Sequence, residues 1–191
     1  MCNLYRLETP PDAIRQMFGS AGLPLDFPEG VPNLEPREVR ITDRAPIVRV
    51  IAGSPELVER RWSWPGPGGK PVYNFRSDGR EFPQGRCLVL ADGFYEYTAA
   101  ADPKAKRKNR WLFTPAGDEP FAIAGLVRDD PGVGEAFTLL TTAPGPDVEP
   151  YHHRQVAVLP PQHWREWLDH QSPAGDLLRP CAPGSLRVQA A

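Results

Sequence analysis

The stretch RCLVLADGFYEY, residues 86–97, decides the fold. It opens on a run of apolar and branched residues, bends at Asp92-Gly93, and resumes as an aromatic run. That composition predicts two consecutive buried strands joined at a turn. Downstream, RWLFT (110–114) returns as a strand across a polar connection, TAAADPKAKRKN (98–109). FAIAGLV (121–127) and FTLLTT (137–142) form a hairpin, QVAVLP (155–160) adds a strand, and LRVQ (186–189) adds a last edge strand. Upstream, PIVRVIA (46–52) and LVERRWSW (57–64) flank the turn GSPE, and VYNFR (72–76) is short and extended. Residues 19–46 are rich in Pro and Gly and read as irregular.

Two segments read as helices. In TPPDAIRQMF (9–18), Thr9 is placed to cap, proline suits the first turn, and Ile14, Met17 and Phe18 share a face. PPQHWREWLDH (160–170) buries Trp164, Trp167 and Leu168. The fold class expected is α+β: strand-dominated, with a barrel-like antiparallel core and a few short helices. No repeat or linker divides the chain, so one domain is expected over residues 1–191.

Composition narrows the functional classes. A net charge of −2 over 191 residues excludes a broadly basic, histone-like nucleic-acid binder, though not a local basic groove. The 24 prolines lie among apolar stretches, as in a fold with many turns. No apolar run is long enough to span a membrane. The first 20 residues carry acidic and polar groups unlike a signal peptide. Three cysteines without a CxxC pair argue against a disulfide framework or a structural zinc site, and for a reducing, cytoplasmic setting.

Cys2 raises the first chemical question, because the chain begins MCNLY. An ordinary buried or terminal cysteine is one reading. In the other, Met1 is removed, and Cys2 then presents an α-amine and a thiol two carbons apart, both partly nucleophilic at neutral pH. A 1,2-aminothiol condenses with an aldehyde to an imine and closes to a thiazolidine, which an internal cysteine cannot do. Asn74 and Arg76 share a strand face by their i, i+2 spacing, offering an amide and a fixed cation to a phosphate-bearing ligand, or simply forming an exposed face.

Glu96 sits among Phe94, Tyr95 and Tyr97. Either it is pressed among aromatics with a raised pKa suited to proton transfer, or strand alternation turns Tyr95 and Tyr97 inward and Glu96 out. In YHHR (151–154), a histidine is a general-acid candidate, and the spacing argues against a metal site. The run KAKRKNR (104–110) carries five basic residues in seven and reads first as a solvated loop, second as a nucleic-acid contact. Trp62 and Trp64 share a face by period two; core packing is the default, base stacking the alternative.

In order, MC, NFR, GRCLVLADGFYEY, AGL and HHRQVAVLP resemble the SOS-response-associated peptidase (SRAP) family. That family is typified by a start MCGR, an N-x-R segment, RCL-[IV]-P-A-DGF-[YF]-EW, AGLW and H-x-RMPVIL. The likeness runs from residue 1 to about residue 170, and HWREWL sits where the family has a W-x-x-WL helix. The resemblance implies a strand-rich fold with a positive DNA groove, and a covalent thiazolidine between the mature N-terminal cysteine and the ring-opened sugar of an abasic site in single-stranded DNA. It implies Cys2 as nucleophile, Asn74 as its orienting group and a sugar contact, and Arg76 and Arg154 as phosphate contacts. Glu96 would then shuttle protons during imine formation, and His152 would act at the sugar ring oxygen. No cofactor or metal is implied, and a monomer acting on DNA is expected.

Departures from the family pattern are Asn3 and Leu4 in place of Gly-Arg, NLEPREV (33–39) for its N-[IVY]-AP-T segment, WSWPGP for WGL-x-P, and Val156 for the proline of RMP. Two alternatives of other classes remain. One is an N-terminal-nucleophile thiol hydrolase or peptidase, acting on peptides or only on its own N-terminus. The other is a non-catalytic single-stranded DNA-binding module.

Overall fold

The computed structural model describes residues 1–102, 104–117 and 121–191; Pro103, within the polar connection expected over 98–109, and residues 118–120 lie outside the described residues. In chain order the elements are β1 (Leu4–Leu7), α1 (Pro11–Ser20), β2 (Arg37–Arg40), β3 (Arg44–Ile51), β4 (Ser54–Trp62), β5 (Trp64–Pro65), β6 (Pro71–Val72), β7 (Asn74–Arg76) and β8 (Arg86–Leu90). They continue with β9 (Gly93–Thr98), β10 (Asn109–Pro115), β11 (Ala122–Arg128), β12 (Ala136–Thr142), β13 (Gln155–Val156), β14 (Val158–Leu159), α2 (Trp164–Leu168), α3 (Ala174–Leu177) and β15 (Leu186–Ala190).

Strand pairing closes a ring: β12 pairs β4, then β3, β8 and β11 follow, and β11 pairs back onto β12. Closure removes the exposed edges that an open sheet of such apolar strands would present. The β4–β12 pairing is parallel, and so is that of β7 with β12, so the barrel is mixed where the sequence suggested an antiparallel one. So small a ring leaves little interior volume. At Gly125 a Cβ would meet Val89 Cγ2 at 2.8 Å and the Thr138 carbonyl at 2.9 Å, so the wall tolerates no side chain there. A second sheet, ordered β15-β10-β9-β1-β2, carries the N-terminus. Asp92-Gly93 is the hinge by which the 86–97 stretch passes from barrel (β8) to second sheet (β9).

Most expected elements are present, with four differences. Thr9 does not cap α1: its hydroxyl bonds Asp92 Oδ1 instead, and Pro10 occupies the cap position without a side-chain bond. Residues 19–46 are not wholly irregular, because β2 and the start of β3 lie in them. The 155–160 strand is split at Ala157, whose N–H bonds Leu140 of β12 while its carbonyl accepts from Ala124 of β11, so one residue bridges two strands. The 57–64 strand ends at Trp62 because Ser63 adopts a positive φ of 86°, so Trp62 and Trp64 do not share one strand face. Both indoles are in the interior, in agreement with core packing: Trp62 donates Nε1–H to the Tyr73 carbonyl at 2.9 Å, and the Arg128 guanidinium covers Trp64 at 4.2 Å.

Candidate functional site

β9 fixes the position of Glu96. Phe94 and Glu96 point to the same face by strand alternation, opposite Phe113 and Trp111 of β10. That face is the interior one: Phe94 is buried and Glu96 is 1% exposed. Alternation therefore runs opposite to the outward reading of Glu96, and Tyr95 instead packs with Leu4 and Leu112 on the other side. β1 lies antiparallel to β9 with Tyr5 opposite Phe94. Continued two residues, that register carries the N-terminus along β9 toward Glu96.

The chain start ends on Glu96 and His152. The Met1 ammonium stands 3.2 Å from Glu96 Oε2 and 2.5 Å from His152 Nε2, and those two side chains are themselves 3.9 Å apart. Among the described residues neither Glu96 oxygen finds a well-aligned hydrogen bond, so the carboxyl's main compensation is the ammonium's charge. Burial pushes the Glu96 carboxyl up to about 7; the Met1 ammonium and the Cys2 backbone pull it down by less. His152 is held by its own turn. Tyr151 packs against Trp111 at 4.8 Å and Phe113 at 5.4 Å, and His152 Nδ1 lies 2.9 Å from the Arg154 carbonyl and 3.0 Å from the Arg154 N–H. Burial lowers its pKa, and the Arg154 backbone contact works against that.

Cys2 is 1% exposed, with Sγ donating to the Leu4 carbonyl at 3.2 Å. Burial, then the Glu96 charge, pushes the thiol up to about 12, so with Met1 attached it is a neutral, enclosed thiol. Asn74 on β7 reaches across to it: Nδ2 donates to the Cys2 carbonyl at 2.7 Å, and Oδ1 is buried without a partner among the described residues. The structure thus brings Cys2, Asn74, Glu96 and His152 together from four separate stretches of chain.

The remaining expected residues are placed differently. Arg76 is exposed at the end of β7. Arg154 is buried, with Nη1 and Nη2 on Asp78 and Thr141, so these donors are engaged inside the fold and not offered at the surface. Trp62 and Trp64 are buried and present no face for stacking. A cleft of about 890 Å³ opens over the site, lined by Met1, Glu96, His152 and a basic wall of Arg107, Lys108 and Arg110. The sequence signal for that wall is the density of charge in KAKRKNR, which by itself reads first as a solvated loop. The Met1 ammonium as an occupant of the site has no sequence signal. Among the described residues, no group of three or more His, Cys, Asp or Glu side chains is placed to hold a metal ion, and no helix is long and apolar enough to cross a membrane.

The chain is similar to several known proteins. The fold is similar to that of a phage-related protein of Bordetella bronchiseptica, at a TM-score of 0.75 and 23% identity, covering 100% of this chain and 94% of that one. It is also similar to a protein of Bacteroides thetaiotaomicron, at a TM-score of 0.73 and 19% identity, covering 99% and 91%. Over 98 residues the sequence is 32% identical to the abasic site processing protein YoqW of Bacillus subtilis (strain 168), and to the protein of that name from Bacillus phage SPbeta. That segment is 49% of this chain and 42% of the relatives' own length. The model of the SOS response associated peptidase (SRAP) family matches residues 70–190, well over half the chain, and the chain belongs to that family.

Proposed function

We propose that this protein captures abasic sites in single-stranded DNA by forming a thiazolidine between Cys2, freed of Met1, and the ring-opened deoxyribose aldehyde. The observation that carries this reading is the seat of the chain start. An α-ammonium lies between Glu96 and His152 one residue ahead of Cys2, at the base of a cleft with a basic wall. Once Met1 leaves, the new α-amine belongs to Cys2, whose backbone already faces Glu96, and the space Met1 held becomes room for a sugar. The relatives named for abasic site processing support the same reading. The pairing of β1 with β9 ties the chain start to the rest of the fold and supports one SRAP-like domain over residues 1–191, with the whole site carried by a single chain acting as a monomer.

The chemistry divides among these side chains. His152 delivers a proton to the ring oxygen as its bond to C1 breaks, and the anomeric hydroxyl loses its proton to water as the aldehyde C=O forms. The Cys2 amine attacks the aldehyde carbon, forming a C–N bond and a carbinolamine. Glu96, titrating near neutrality, takes a proton from nitrogen and returns one to the departing hydroxyl, so water leaves and an imine remains. The Cys2 thiol then adds to the imine carbon, its proton ending on nitrogen. The net reaction is aldehyde plus aminothiol to thiazolidine plus one water. Asn74 holds the Cys2 carbonyl, and its Oδ1 is an acceptor for a sugar hydroxyl. Arg76 and the basic wall meet the flanking phosphates.

The test is a denaturing gel of the mature protein with abasic single-stranded DNA. A shifted band that persists without reduction is expected. A band seen only after borohydride trapping would mean a transient imine, and no band would mean binding or hydrolysis instead.

A further inference from the structure

His152 sits on a connection that no regular element holds, between β12 and β13. Two anchors fix it. One is aromatic, Tyr151 against β10. The other is ionic and starts from β7, the strand that carries Asn74. Beyond that strand, Ser77 locks onto β12, its N–H and hydroxyl both donating to the Thr141 carbonyl at 3.0 and 2.9 Å. This sets the next residue, Asp78, opposite Arg154. Arg154 Nη1 donates to Asp78 Oδ1 at 3.0 Å, and Nη2 lies 2.7 Å from Oδ2, a two-pronged pairing that fixes direction as well as distance. Nη2 also donates to Thr141, to its carbonyl at 2.7 Å and its hydroxyl at 3.1 Å. The main chain of Arg154 in turn meets His152 Nδ1, which donates to the Arg154 carbonyl at 2.9 Å in one tautomer and accepts from the Arg154 N–H at 3.0 Å in the other.

We propose that Asp78 is a positioning residue for His152: through the Arg154 guanidinium it clamps the 143–154 connection to the end of β7, so that Nε2 faces Glu96 and the chain start. The guanidinium is buried, whereas Asp78 is 52% exposed, so the pair is closed from the solvent side by the carboxylate. Without that carboxylate the cation keeps only neutral acceptors on Thr141, and the turn loses its ionic anchor and keeps the aromatic one. The same clamp sets the Asn74 strand and the histidine at a fixed separation, since both hang from the β7–β12 pairing.

The proposal rests on the reading of His152 as the proton donor in ring opening, and a double-mutant cycle tests it. Crosslinking rates to a closed-ring abasic oligonucleotide are measured for wild type, Asp78→Asn, His152→Ala and the double variant. Asp78→Asn is expected to slow wild type about 10-fold, within the range for a misplaced catalytic group, and to have little effect where His152 is already alanine. Asp78→Glu, which keeps the charge, should retain most of the rate. An equal loss in both backgrounds overturns the proposal, because a general structural defect does not depend on His152. If His152→Ala alone leaves the rate unchanged, the proposed role of the histidine fails separately, and the imidazole ¹⁵N resonances of His152 then decide. They should shift in Asp78→Asn, and unchanged resonances overturn the clamp.

Discussion

Two of the regions where this molecule buries charge treat it in opposite ways. On β3 and β4, Arg60 reaches Glu135 at 2.6 Å and Glu29 at 2.9 Å, while Arg49 pairs with Glu135 and lies 3.5 Å from Glu56. Burial pushes the Glu135 carboxyl up, but Arg60 and Arg49 outweigh it and hold the group below the usual carboxylate range. At the chain start, Glu96 has, among the described residues, no arginine, no aligned hydrogen bond and one ammonium, and burial wins. A network that pairs its charges holds the sheet in place and leaves no proton to exchange near neutrality. A carboxylate left short of partners is destabilising, and its proton is available near neutral pH. The contrast teaches where to look for chemistry: at the carboxylate the fold leaves unsatisfied, not at the largest cluster of charge.

Breaking the chemical side of this contrast should give the largest effects. Cys2→Ala is expected to abolish the stable adduct on denaturing gels, because only the thiol closes the ring once the imine has formed. Glu96→Ala should slow crosslinking by about 10²-fold toward both an abasic site and a small aldehyde, the low end for general acid–base catalysis. His152→Ala should slow the closed-ring abasic site comparably and leave the small aldehyde far less affected. Equal losses on both substrates would move the histidine from ring opening to the condensation. Glu96 accepts a proton only as the carboxylate, so the wild-type rate should climb through pH about 7. That step should vanish in Glu96→Gln.

Stability sharpens the contrast from the other side, with smaller effects of opposite sign. Glu135→Ala leaves two arginines without their shared acceptor and should lower stability by about 1–3 kcal/mol with an unchanged crosslinking rate, measured by denaturant titration and gel. Glu96→Gln should stabilise. A carboxyl whose folded pKa is raised from 4.5 to about 7 binds more protons folded than unfolded between those values, so wild-type stability falls as pH rises through that window. The full displacement corresponds to about 3 kcal/mol at pH 8, reduced to the extent that the site admits water. Thermal unfolding at pH 5 and pH 8 should show a several-fold larger gain of Glu96→Gln at the higher pH; an equal gain at both pH values removes the titration as its cause.

The smallest effect concerns the basic wall. Replacing Arg107 and Lys108 with alanine should reduce the slope of log affinity against log salt by about 1.4 for single-stranded DNA, about 0.7 per lost phosphate contact. An unchanged slope would return KAKRKNR to the solvated loop that its sequence suggests first.

What could be read without coordinates follows physical lines. β8, β9, β10 and the β11–β12 hairpin were legible because strand signals are local and these strands are densely apolar or aromatic. β2 was not, since REVR carries three charges and is a strand only because β1 pairs with it. Ser63 hid the break between the two tryptophans, because a positive φ at serine leaves no sequence signature. At the site, Cys2, Asn74, Glu96 and His152 came from ordered motifs, yet alternation left the facing of Glu96 open, and the closure of the second sheet against the barrel settled it. Asp78 was invisible: its meaning lies wholly in Arg154, 76 residues away.

The most direct measurement is the mass and fragmentation of the N-terminal peptide recovered from the protein–DNA adduct after nuclease and protease digestion. Covalent capture requires that Met1 be absent and that Cys2 carry the sugar remnant with the loss of one water, on a peptide that no thiol reagent labels at Cys2. A remnant on any other residue, or an adduct on a chain that still bears Met1, would contradict it.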